Sequence, residues 1–216
     1  MDNKERLRKW LWLGLDETTA KKYQRKLSAE NVRIIRNESV IIAGIGALYT
    51  ICMLVLSHVY VKSLVCIIGA IWMFCIFLYT HSLLKKQDEI SKQETYASIG
   101  SFMICAYAVS IYVGTIGAGN ELAVTIVSLF VFLPTNFDLL PIYNLHITIV
   151  ALAMFFVSSY ITKTPDKFMY DVMDGILAAV IGNFAAFERA KIKWESVKIH
   201  EQLEEERDID MLTGIW

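Results

Sequence analysis

Apolar residues along this chain gather in long runs separated by short polar breaks, and neither a period-two alternation nor a single helical stripe describes them. Roughly 20 apolar residues are what a helix needs to cross a bilayer core of about 30 Å, where the backbone must satisfy its own hydrogen bonds. The runs predict six spans, at about Ser39–Ser57, Ser63–Leu84, Tyr96–Gly117, Leu122–Leu133, Leu139–Ile161 and Phe168–Phe187. The fourth is short and ends at Pro134, so a re-entrant piece competes there with a full crossing. The expected fold class is all-α: a polytopic membrane helical bundle of six spans.

The pattern changes at both ends. Residues 1–37 are polar and basic, and from Asp16 to Arg36 they read as a helix with Tyr23, Leu27, Val32, Ile34 and Ile35 loosely on one side. An amphipathic segment on the inner leaflet and a solvated linker helix both fit. At the other end, Lys167–Asp208 contains no proline, and its glycines, Gly175 and Gly182, fall in the apolar part. A helix about 60 Å long is expected there, from the rise of 1.5 Å per residue. Its polar part, 188–208, is a long cytoplasmic helical extension with a thin apolar seam at Ile192, Ser196, Ile199 and Leu203. Such a seam is too short for a coiled coil alone, but two copies held together by a membrane bundle could pair along it.

Composition agrees with the runs. Of 216 residues, 55% are hydrophobic, and the mean hydropathy of +0.44 is too high for an ordinary soluble domain. Charge adds orientation. Ten Lys or Arg precede the first span, three lie in the Lys85–Glu94 connection and five follow the last span, whereas the opposite loops hold only Lys62, Lys163 and Lys167. The positive-inside rule puts both termini in the cytoplasm, as an even number of spans requires. The expected location is therefore the inner (cytoplasmic) membrane, multi-pass. Cys52, Cys66, Cys75 and Cys105 all lie within spans at spacings that fit neither zinc nor a disulfide framework, and read as small buried hydrophobes. No metal site, cofactor site or nucleic-acid surface is expected.

Polar groups inside spans are functional candidates, because lipid gives them no partners. Asn144 and His146 sit near one end of span five, Asn136 and Asp138 in the loop before it, and Asn183 deep in span six. Asp171 and Asp174 fall where span six meets the outer face, which interfacial solvation would explain. With Asn120 and Glu121 they could instead line a pocket for an unknown small molecule. Small residues, among them Gly44, Gly46, Ala47, Gly69, Ala70, Gly114, Gly117, Ala178, Ala179 and Gly182, suit close helix packing. His200-Glu201 lacks the downstream proline of a phospho-accepting histidine motif and reads as a helix-surface pair.

The last nine residues carry the sharpest signal. Asp210, Leu212, Thr213 and Gly214, followed by the aliphatic Ile215, form Asp-x-Leu-Thr-Gly after a charged helix leaving an apolar bundle. This resembles the opening of the GGDEF (diguanylate cyclase) domain, which usually reads Asp-x-Leu-Thr-Gly-Leu-x-Asn-Arg. The resemblance implies a basic cytoplasmic segment (1–37), a six-span sensor and anchor (38–187), a signalling helix (188–208) and the truncated start of a GGDEF domain (209–216). It implies a homodimer in the lipid bilayer, in which the last span controls how two GGDEF domains meet to make cyclic di-GMP from GTP. Mg and GTP would belong to the missing domain, so no catalytic residue is carried over and this chain alone should have no activity. A six-span transporter or channel, or a membrane scaffold without enzymatic activity, is the alternative.

Overall fold

The computed structural model describes residues 17–57, 60–85 and 90–213, and every regular element among them is helical. Six helices follow one another: α1 (Glu17–Cys52), which ends in a π-helical turn (Met53–Ser57), α2 (Tyr60–Leu84), α3 (Lys92–Gly114), α4 (Val124–Asn136), α5 (Pro141–Thr162) and α6 (Pro165–Thr213). Among the described residues, five segments are long and apolar enough to cross a membrane: Leu27–Val55, Tyr60–Leu84, Gln93–Gly114, Pro141–Thr162 and Pro165–Ile199. Their outward faces carry Ile45, Leu48, Val55, Val157 and Ile181, all exposed. Lipid accepts such a surface and water does not.

Local chemistry fixes the helix ends. Ser91 caps α3: its hydroxyl accepts from Glu94 N at 3.2 Å, and the Glu94 carboxylate accepts from Ser91 N at 2.9 Å. This Ser-x-x-Glu box was legible in the sequence and places the start of α3 at Lys92, before the expected Tyr96. Pro141 opens α5 and Pro165 opens α6, where a missing N–H costs nothing. The turn after α3 needs Gly119, whose φ of 63° favours glycine.

The helices run back and forth between two polar ends. One end holds the α3–α4 and α5–α6 connections, and the other holds the α4–α5 connection. At 13 residues, α4 is shorter than the expected spans. Its extended flanks nevertheless carry the chain from Ala123, bonded to Asp171 at one end, to Asp138, paired with Arg189 at the other. On α6 those two partners are 18 residues, or about 27 Å, apart. The core lies where α3, α4 and α5 meet: the rings of Tyr107, Phe130 and Phe155 pack in sequence, tilted against one another, with centroids 5.4 and 5.9 Å apart.

Four expectations are modified. From Glu17, where the described residues begin, the basic N-terminal stretch forms one continuous helix with the first apolar run, and its face at Leu27, Val32 and Ile35 is buried on protein. The last helix continues past Asp208 to Thr213, because no proline or glycine lies between Gly182 and Thr213. Cys66 and Cys105 are buried, whereas Cys52 and Cys75 face outward. Of the small residues, Gly69 and Gly182 sit in contacts that a Cβ would violate, but Gly44 faces open space and Ala47 is exposed.

Candidate functional site

Where α6 leaves the apolar bundle, its Ala186–Val197 stretch docks on two other parts of the chain. Residues Ala186, Ala190, Lys193 and Val197 recur at helical spacing on one face. Against that face lie the Leu27–Asn31 stretch of α1 and the loop between α4 and α5. Leu27 and Leu140 are buried there, with Ile142, Trp194 and Val197 packed around them.

Polar contacts frame this apolar patch. The Asn31 amide pairs with the backbone of Asp138 in both directions: Asp138 N donates to Asn31 Oδ1 at 2.9 Å, and Asn31 Nδ2 donates to Asp138 O at 3.2 Å. This holds α1 to the loop across 107 residues of sequence. Arg189 donates to the Thr135 carbonyl in the last turn of α4, and its Nε lies 3.4 Å from Asp138 Oδ1. Lys193 Nζ lies 2.6 Å from Glu30 Oε1, and Asn136 Nδ2 donates to Glu38 Oε2 at 3.2 Å. Arg189 and Lys193, one turn apart, thus grip the loop and α1 respectively. Both ion pairs are partly solvated, so each contributes little by itself. The geometry matters more: α1, α4 and α6 are tied together at the point where the last helix exits.

Asp138 is the strained member. Its side chain is buried, and neither carboxylate oxygen has a hydrogen bond among the described residues; Arg189 Nε is at ion-pair distance only. Burial pushes its pKa up, while Arg189 and Lys193 pull it down and Glu30 adds to the rise. A folded-state pKa above the unfolded value means that ionised Asp138 costs stability. The fold therefore gains stability as pH falls through the raised pKa towards about 4, the ordinary aspartate value. Asp138→Asn should be at least as stable as wild type near neutral pH and lose that acid gain, as measured by thermal midpoints across the range. A marked loss of stability at neutral pH would instead show that the Arg189 pair outweighs burial.

The seam Ile192, Ser196, Ile199 and Leu203 is exposed along its whole length, with Ile192 at 66% and Leu203 at 57%. At 100° per residue it lies about a third of a turn from the docked face, so docking leaves it open. Asp210, Leu212 and Thr213 continue the helical backbone of α6, and Gly214 lies outside the described residues.

The proposed outer pocket residues are distributed differently. Asp171 is fully buried, not solvated: Oδ2 is 2.6 Å from Lys163 Nζ and accepts from Ser159 Oγ at 2.6 Å, while Oδ1 accepts from Ala123 N at 3.1 Å. Its carboxylate is thus occupied by the protein. Asn120 Oδ1 accepts from Thr164 N and Oγ1, both at 3.0 Å, and so ties the α3–α4 turn to the α5–α6 turn. Glu121 and Asp174 are exposed. Deeper in the bundle, Asn144 donates to the Pro134 carbonyl at 3.2 Å and Asn183 to Thr148 Oγ1 at 3.1 Å, while His146 is exposed.

No protein-family model matches the chain, and comparison with curated proteins and with solved structures finds no significant match.

Sequence reasoning missed the roles of Lys163, Asn31 and Arg189. Each reads as an ordinary polar residue near a span end. Only the unusual burial of Asp138 had a signal, an acidic residue between Phe137 and the apolar pair Leu139-Leu140.

Proposed function

We propose that this chain is the membrane sensory, anchoring and dimerisation region of a transmembrane diguanylate cyclase, passing a signal through α6 to a cytoplasmic GGDEF domain. The observation that carries the reading is the continuity of α6. One helix of 49 residues, about 70 Å by its rise, joins the bundle core to the residues that resemble the start of a GGDEF domain. A helix without a break transmits a shift or rotation along its axis; a flexible linker would absorb it.

In this reading the chain crosses the inner membrane six times, with both termini in the cytoplasm. Support comes from the eighteen-to-three partition of basic residues and from α4 running between the same two polar ends as its neighbours. The exit clamp sets the resting position of α6: Arg189 and Lys193 hold it to α1 and the α4–α5 loop, and a signal in the bundle moves α6 by altering that docking. The open seam, about a third of a turn from the clamp, pairs two copies, which brings two GTP-bearing half-sites together.

Single cysteines at Ile192, Ile199 and Leu203, in a background lacking Cys52, Cys66, Cys75 and Cys105, should cross-link between copies far more readily than cysteines at the exposed Lys191 and Lys198. A flat profile rules out the seam as the dimer contact. The catalytic part is tested by translating the native reading frame beyond Trp216 and assaying the whole product in liposomes with GTP and Mg. An Asn-Arg continuation and cyclic di-GMP formation are expected; a frame without a GGDEF domain ends the cyclase reading.

A further inference from the structure

A groove of about 640 Å³ opens between α1, α2, α3 and α4, within the size range of small-molecule sites. Small side chains create it. Gly46 of α1 packs against Ala70 of α2, and Gly69 lets α2 approach Val109 of α3. Those close approaches leave the space beside them unfilled. On α3 the lining runs from Val113 to Cys105, about 12 Å by helical rise.

The groove is polar at one end only. Ser110 and Thr125 lie towards the Lys163 end of the bundle, and Ile42 and Met73 close the opposite, apolar end. Ser110 is 8% exposed, and its hydroxyl has no hydrogen-bond partner among the described residues. Other helical hydroxyls, at Thr50, Thr80, Ser98 and Thr115, each bond the carbonyl four residues earlier. Ser110 does not, and it faces the groove. That hydroxyl opens into a groove with few polar groups, so a ligand that pairs with it gains affinity.

None of the lining residues is charged. An anionic head group would be buried there without a counter-charge, which is strongly unfavourable. Water is no better an occupant, since it needs two to four polar partners and the groove offers few. We propose that the groove binds an uncharged long-chain lipid, whose hydroxyl or carbonyl group hydrogen-bonds Ser110 and whose chain runs towards Met73.

Binding itself requires only that the chain sit in a bilayer. Its consequence for output rests on the reading above: α1 and α4 line the groove and also hold the exit of α6, so occupancy would bias the clamp.

The test uses the full chain in phosphatidylcholine nanodiscs, with a diazirine-bearing dodecanol as the photoreactive probe. Saturable labelling near Tyr49, Val109 and Leu129 is expected, with competition by dodecanol but not by dodecanoate at alkaline pH. Ser110→Ala should weaken labelling about fivefold, as loss of one hydrogen bond implies. Ile45→Trp, at an exposed lining position, should reduce it further by filling the groove. Size-exclusion profiles and helical circular dichroism of both variants should match wild type. Labelling that does not saturate and spreads equally over Val157 and Tyr160 would make the groove ordinary lipid contact. Equal competition by dodecanoate, or no effect of either substitution, would likewise overturn the proposal. None of these readouts depends on a cyclase.

Discussion

Asp171→Ala is expected to destabilise the protein by about 3–5 kcal/mol, because it leaves the Lys163 ammonium buried without its counter-charge. The Lys163 and Asp171 side chains are 0% and 2% exposed, so solvent cannot take over from either partner. Lys163→Ala should cost a similar amount. The double replacement Lys163→Met with Asp171→Leu should recover much of the loss, since exchanging a buried pair for apolar groups removes the desolvation penalty along with the attraction. Recovery should be incomplete. Asp171 also accepts hydrogen bonds from Ala123 N and Ser159 Oγ, and the double variant leaves both donors unpaired. Thermal or denaturant unfolding in detergent measures all three variants. Single-variant losses below about 1 kcal/mol would show that water reaches the pair, contrary to the burial seen here.

Gly182→Ala is the second large effect. Pro134 has no N–H, so the carbonyl of Phe130 lacks its helical donor, and α6 approaches α4 at that carbonyl. A Cβ at Gly182 would run into Phe130 O and lie 2.9 Å from Val131 Cα. Both are backbone atoms and cannot swing aside. The helices must separate, at a cost of about 2–3 kcal/mol. Gly44→Ala provides the control: nothing lies within 4 Å of a Cβ there, so the substitution should be neutral or stabilise by about 0.5–1 kcal/mol through helix propensity. The contrast separates packing from propensity, because the covalent change is the same. If the two variants unfold at the same temperature, the α4–α6 contact does not limit stability.

Together these sites explain how a short α4 belongs to the bundle. Its first residues are held by Asp171 through Ala123, its middle by Gly182, and its last turn by Arg189 at the Thr135 carbonyl. All three partners lie on α6. Movement of α6 therefore cannot be independent of α4, and α4 carries the loop on which the exit clamp is built.

The sequence by itself determined the helices, and the reason is local. In an apolar medium a backbone must bond to itself, so a run of apolar residues without proline commits to helix, and its length decides whether it can span. The long last helix, five of the six expected spans and the Ile192–Leu203 seam follow from composition and spacing alone; the fourth expected span is a helix of 13 residues, and its place in the bundle is a tertiary matter. Partner choice does not. Lys163 reads as a loop lysine and Asp171 as an interfacial acid until the α5–α6 turn folds one onto the other. Asn31 and Asp138, 107 residues apart, meet only because α1 and the α4–α5 loop share one end of the bundle. Gly182 was legible as a small residue, but not that it faces a carbonyl freed by Pro134. The groove is invisible along the chain because it is made by four helices failing to fill a space. Spacing fixes which residues share a face; only the assembled helices decide which faces meet and what is left between them.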